Sequence, residues 1–160
     1  MRWPSCPRSA AAERVLHLHP ARFDPLAALA EWQQGLTAAG AEAPAAEAHF
    51  IGRVRGRTAS GAPLEALELE HYPGMTEAQI ERIAATITSR HGLLAVRVDH
   101  RVGRVLPGEA IVLVAVAADR RGPAQRGGQE LLEALKHEAP FWKREWSGGL
   151  GTWVEGNTAF

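Results

Sequence analysis

In the stretch "LEALELEHYPGM" apolar and polar positions alternate, with Leu67, Leu69 and His71 on one side and Glu68 and Glu70 on the other. That period of two predicts a half-buried strand. It returns in "AVRVDHRVGRV", where Val96, Val98, His100 and Val102 share a face. "AIVLVAVAA" is apolar throughout, which predicts a central strand covered on both faces. "LPGE" between these two stretches reads as a turn, and the segment 94–118 as antiparallel neighbours. Shorter strands are expected at Val15 to His19 and in "EAHFIGRVRG", where Arg53 and Arg55 are two apart and so project from one face. "GRTASGAP" follows as a polar, mobile loop.

Helical spacing appears three times. In "FDPLAALAEWQQGLTAAG", Asp24 is the expected N-cap and Pro25 the first helical residue. Leu26, Leu29 and Leu36 give that helix a weak apolar stripe, and Gly40 a stop. Thr76 with Gln79 reads as a capping box opening a helix whose stripe is Ile80, Ile83, Ala84 and Ile87, and which Gly92 ends. A third helix, roughly Ala124 to Glu138, carries Gly128, Leu131, Leu132 and Leu135. At about 100° per residue Lys136 lies at the edge of that stripe. Pro140 breaks the helix, because it lacks an amide hydrogen and its ring clashes with the preceding turn. Phe141, Trp142 and Lys143 then begin a strand, with "GGLGTWVEG" as its hairpin partner. Mixed strands and helices with hairpin neighbours give an α+β class.

Composition narrows this picture. The 160 residues suit one domain, and 46% hydrophobic content is enough for a core. The organisation expected is a flexible N-terminal tail over 1–14 and a single domain over 15–160. Eighteen basic and eighteen acidic residues leave zero formal net charge, which argues against a protein that lives on bulk nucleic acid. Any basic patch is therefore local. The lone cysteine, Cys6, reads as a tail thiol and excludes an internal disulfide. No apolar run approaches membrane-helix length, and the N-terminus has no signal-peptide core. A soluble cytoplasmic protein is expected.

Three basic points mark the ends of elements: Arg53/Arg55, Arg120/Arg121 and Lys136/Lys143. Each residue alone reads as surface charge. Together they suit a phosphorylated or carboxylated ligand, arginine offering a planar fork and lysine a point charge that can transfer a proton. Lys136 and Lys143 stand apart because large aromatics and a core stripe desolvate them. Metal and cofactor are not expected. His17 and His19 share a strand face, but no Cys, Asp or second His pair lies at ligand spacing in the sequence. His71 and His100 read as core or interface histidines, and no serine has a nucleophile-elbow context.

The motifs "LELEHYPGM", "HRVGRVLPGE" and "LKHEAPFWKRE", in this order, resemble the large, catalytic subunit of molybdopterin synthase. "FIGRVRG" and "TWVEG" match further motifs of that family, and the resemblance runs from about Val15 to Glu155. It implies an α/β hammerhead fold with an additional antiparallel sheet. The activity it implies is sulfur transfer from the C-terminal thiocarboxylate of a small ubiquitin-like (β-grasp) carrier to cyclic pyranopterin monophosphate, forming the dithiolene of molybdopterin. A homodimer with one carrier on each end, a heterotetramer, is implied too, each carrier threading its Gly-Gly tail into a pocket. By this resemblance Lys136 and Lys143 are the catalytic lysines, Lys136 beside the carrier's terminal carbonyl and Lys143 facing the pterin and its phosphate. Arg53, Val54, Arg55, Arg120, Arg121, Arg144 and Glu145 complete the implied substrate-binding set, Arg121 approaching from the other protomer. One departure is Arg120, where the family often has His; another is "APAAEAH" ahead of Arg53. Two alternatives stay open: a non-catalytic module that binds a β-grasp tail, and a phosphate-ester or RNA-binding domain.

Overall fold

A computed structural model describes residues 12–155. In chain order these form β1 (Glu13–His19), α1 (Pro25–Leu36), a 3₁₀ turn (Ala38–Gly40), β2 (Ala46–Arg53), β3 (Ala66–His71), α2 (Met75–His91), β4 (Ala95–Arg101), β5 (Gly103–Val105), β6 (Ala110–Ala118), α3 (Arg121–Glu138), β7 (Phe141–Ser147) and β8 (Leu150–Trp153). Most of the expected tail, and Cys6 with it, lies outside the described residues; β1 already begins at Glu13.

The first sheet has the order β1-β4-β6-β2, parallel between β1 and β4 and antiparallel elsewhere. β6 is central because its sequence is apolar on both sides, and both sides are covered. On one face α2 and α3 bring Ile80, Ile83, Ile87, Leu131 and Leu135 against Val96, Val98, Val114 and Val116. On the other, α1 lays Leu29 and Trp32 over Ala95, Leu113, Ala115 and Ala117. Burying one such large aliphatic side chain contributes about 1.5–3 kcal/mol. Gly128 lies where α3 crosses β6, and a Cβ there would meet Val116 Cγ2 at 3.3 Å.

The second sheet, β5-β3-β7-β8, is antiparallel throughout. It packs over a separate small core of Val54, Leu64, Leu69 and Val105. The α+β class and the added antiparallel sheet are as the sequence led us to expect.

Local signals hold in part. The Asp24 carboxylate accepts from the Leu26 and Ala27 amides, and Pro25 opens α1. Leu26 does not join the apolar stripe; it is 62% exposed, and Trp32 is the large buried residue instead. The N-cap of α2 is Gly74, whose amide donates to the Glu77 carboxylate at 2.6 Å, so the expected Thr76–Gln79 box is not the one used. Thr76 is buried in the first turn, accepting from the Tyr72 amide and donating to the Pro140 carbonyl at 3.4 Å. Gly92 ends α2 in the left-handed region, at φ 62°, which a glycine enters without Cβ strain. "AVRVDHRVGRV" is two strands rather than one. The chain leaves the first sheet at Val102, whose amide donates to the His19 carbonyl, and β5 joins the second sheet. No helix among the described residues is long and apolar enough to cross a membrane.

Candidate active site

The two sheets and α3 enclose a cleft of about 1220 Å³. Its walls come from the end of β2 and the loop after it, the last turns of α3, His100 of β4, and the Phe141, Lys143 and Glu145 face of β7. Strand alternation explains that last set. Phe141, Lys143 and Glu145 point one way from β7, while Trp142, Arg144 and Trp146 point the other.

Lys136 reaches the cleft from the C-terminal turn of α3, and Lys143 from β7. The chain between them is redirected at Ala139, whose extended backbone (φ −73°, ψ 129°) is what a following proline imposes. The Pro140 carbonyl is then held by Thr76. Burial pushes the Lys143 ammonium below its ordinary pKa, and the positive charge of Lys136 pushes it the same way. Both amines line the same partly dry cleft.

Two neighbours condition that pair. The His100 imidazole stacks on Phe141 with ring centroids 4.2 Å apart and planes 10° from parallel. Its Nδ1 donates to the Arg101 carbonyl at 2.8 Å. Burial, and the charge of Lys143, bring its pKa down to about 4 despite that hydrogen bond, so it is neutral at pH 7. The Glu145 carboxylate accepts from the Ala59 amide at 3.2 Å, tying β7 to the loop after β2.

That loop is more structured than its composition suggests. Thr58 and Ala62 exchange backbone and side-chain hydrogen bonds, and Arg57 donates to the Gly61 carbonyl. At its root β2 ends with a register shift between Gly52 and Arg53. A side chain at Gly52 would come within 2.9 Å of Val112 Cγ1, so the close approach of β2 to β6 there needs glycine.

Residues 22–138 match the sequence pattern described as MoaE protein. The chain belongs to the MoaE protein family. It is 39% identical over 141 residues to the molybdopterin synthase catalytic subunit of Ralstonia nicotianae, covering 88% of this chain and 77% of that one. It is 50% identical over 98 residues to the subunit of that name from Rhizobium meliloti, covering 60% of this chain and 63% of that relative's length. The fold matches the molybdopterin biosynthesis MoaE protein from Burkholderia ambifaria with a TM-score of 0.74, at 36% identity over 92% of each chain.

For a MoaE family member the expected site residues fall into two groups. Arg53, Val54, Arg55, Lys136, Lys143 and Glu145 all line the cleft. Arg55 does so from beyond the end of β2 rather than from the same strand face as Arg53. Val54 offers an apolar wall, since Gly108 and Glu109 occupy its backbone carbonyl and amide. Arg144 is on the far face of β7, bonded to Glu68 and Glu70 and lying over the Trp153 ring at 4.5 Å. Arg120 and Arg121 stand at the opposite end of α3 from Lys136, about 22 Å away at roughly 1.5 Å per residue. The three basic points do not converge within one chain. Sequence reasoning missed His100 and Phe141 as lining residues. The available signal was a lone titratable group on an otherwise apolar strand face.

The sequence places no Asp at ligand spacing beside His17 and His19, but the parallel pairing of β1 with β4 puts Asp99 directly opposite His17. His17, His19 and Asp99 form a cluster of possible donors.

Proposed function

We propose that this chain is the sulfur-transferring large subunit of a molybdopterin synthase. It takes sulfur from the C-terminal thiocarboxylate of a small β-grasp carrier and delivers it to cyclic pyranopterin monophosphate. The observation that carries this reading is the meeting of Lys136 and Lys143 in one partly desolvated cleft, which Arg53 and Arg55 also line. Thiocarboxylate and cyclic phosphate are both anions. Bringing them together requires fixed positive charge, which acts more strongly where water is excluded. A cleft of about 1220 Å³ exceeds the roughly 300–1,000 Å³ of ordinary small-molecule pockets, which suits a pterin and an extended peptide tail together.

In this reading Lys136 lies beside the carrier's terminal carbonyl and offsets the thiocarboxylate charge, and Lys143 faces the pterin and its phosphate. The depressed pKa of Lys143 fits it to exchange a proton as the phosphate ring opens. Arg53 and Arg55 supply guanidinium forks to phosphate oxygens. A homodimer with a carrier at each end supplies Arg121 from the second protomer, and Arg120 binds anion where a histidine often stands in the family. The single cysteine fits a reducing, cytoplasmic setting.

The test mixes the chain with thiocarboxylated carrier and cyclic pterin and follows the dithiolene product by mass spectrometry. Lys136→Ala and Lys143→Ala should each lower the single-turnover rate by about 10²–10⁴-fold, the range for losing a positioned acid–base group. Near-normal product from both folded variants would defeat the assignment. Tail binding by the wild type without any product would favour a non-catalytic binding module.

A further inference from the structure

We propose that His17, His19 and Asp99 form a binding site for one divalent first-row transition-metal ion, zinc by ligand type, at the edge of the first sheet. The site is separate from the lysine cleft. Asp99 and His100 are neighbours on β4 and therefore point to opposite faces of the sheet, His100 into the cleft and Asp99 toward the α1 side.

The geometry comes from strand register. His17 and His19 are two apart on β1, so both rings project from one face. The β1–β4 pairing sets Asp99 beside them on that same face. His19 Nε2 is 2.7 Å and His17 Nδ1 3.4 Å from the same oxygen, Asp99 Oδ1. All three donor atoms lie within 4.8 Å of one another. Tetrahedral zinc with bonds of about 2.0–2.1 Å spaces its donors about 3.3 Å apart. Ligation therefore requires changes in donor spacing of at most about 1.5 Å, with the metal replacing the proton now shared between His19 and Asp99.

The donors are also held from behind. The His19 ring stacks on Phe23 at 4.5 Å with planes 13° apart. Arg97 donates through Nε to Asp99 Oδ2 at 2.6 Å and through Nη2 to Oδ1 at 3.2 Å, so an ion on Oδ1 takes the place of that second, longer bond, and Arg97 is itself bonded to Glu31 at 3.1 Å. Such outer contacts orient metal ligands and set their affinity. Access is from the edge. β1 is a terminal strand of its sheet, Asp99 is fully buried, and the His17 side chain is 51% exposed. An ion entering there keeps solvent in its fourth position and clamps β1 to β4.

The test titrates the metal-stripped full chain with Co²⁺ alone in a non-chelating buffer, following visible absorption, then competes the signal away with Zn²⁺. The expected result is saturation at one equivalent without an intense thiolate charge-transfer band, which separates this site from Cys6. His17→Ala and His19→Ala should each weaken binding at least about tenfold, since even outer-shell changes cost that much. His49→Ala, on β2, should leave it unchanged. A zinc-dependent rise in melting temperature should vanish in His17→Ala. That exposed edge position tolerates substitution, and circular dichroism checks its fold. Lack of saturable uptake near one equivalent overturns the proposal, as does uptake that both His17→Ala and His19→Ala leave unaltered.

Discussion

At the scale of single residues the cleft is an exercise in holding like charges near each other. Lys143 is depressed first by burial and then by Lys136. Replacing Lys136 with Gln removes the second cause and leaves the first. The Lys143 pKa should therefore rise toward, without reaching, its ordinary 10.5, as a ¹³Cε NMR titration of Lys143 would record. An unmoved titration would mean that the two amines do not share the pocket. His100 supplies a second handle, on stability. Its folded pKa of about 4 is below its ordinary 6.5, so between those values the unfolded chain binds a proton that the folded chain refuses. Stability therefore falls as pH drops from about 6.5 to 4, by as much as about 3 kcal/mol at 1.36 kcal/mol per unit. Asp99 does not blur this window. Burial pushes its carboxyl up, but Arg97 and His19 outweigh burial and hold it below 3.8, so its contribution is lost only in stronger acid. Urea unfolding of wild type and His100→Gln at pH 7 and pH 4.5 should show most of the acid loss disappearing in the variant.

At the scale of elements, the turn between α3 and β7 decides where the lysines meet. Pro140 stops the helix, Ala139 is forced into extended backbone, and Thr76 of α2 anchors the Pro140 carbonyl. Pro140→Ala should cost only about 0.4–1 kcal/mol, the value of a proline that already fits its place. Its effect on single turnover should be larger, since a displacement of about 1 Å at a reacting group can cost about 100-fold. Urea unfolding and rapid-quench kinetics on the same variant separate the two; equal, small effects on both would show that the turn does not set the geometry. This turn was legible in the sequence because proline chemistry is local. So were the Asp24 cap, the stripes of α2 and α3 and the doubly covered β6. Partnerships across the chain were not. Alternation in β4 says that two faces exist, not that α1 covers the one carrying Arg97 and Asp99, both buried. Nothing in the spacing of His17 and His19 announces Asp99, which arrives through a parallel pairing some eighty residues away. Thr76 looked like a cap because its pattern fitted one. Besides the local Tyr72 amide, its hydroxyl bonds to Pro140, sixty-four residues distant.

At the scale of the whole molecule, α3 is a rod with cations at both ends. Lys136 opens into the cleft from one end while Arg120 and Arg121 cap the other, exposed, beyond the far end of β6. About 22 Å of helix separates Arg121 from Lys136, so within one protomer Arg121 does not reach a ligand held at the lysines. Two outcomes remain physically distinct: Arg121 is ordinary surface charge, or it serves the cleft of a second copy across a two-fold interface. A mixing experiment separates them. On the two-fold reading, the Arg121→Ala and Lys136→Ala proteins are each strongly impaired. After subunit exchange half of the dimers are mixed, and each mixed dimer holds one cleft with its own Lys136 and its partner's intact Arg121. Activity should recover to about a quarter of wild type, because one of two clefts is whole in half of the dimers. If Arg121 acted within its own chain, a mixed dimer would hold no intact cleft and exchange would restore nothing. An Arg121→Ala homodimer of wild-type activity would place it outside the chemistry altogether.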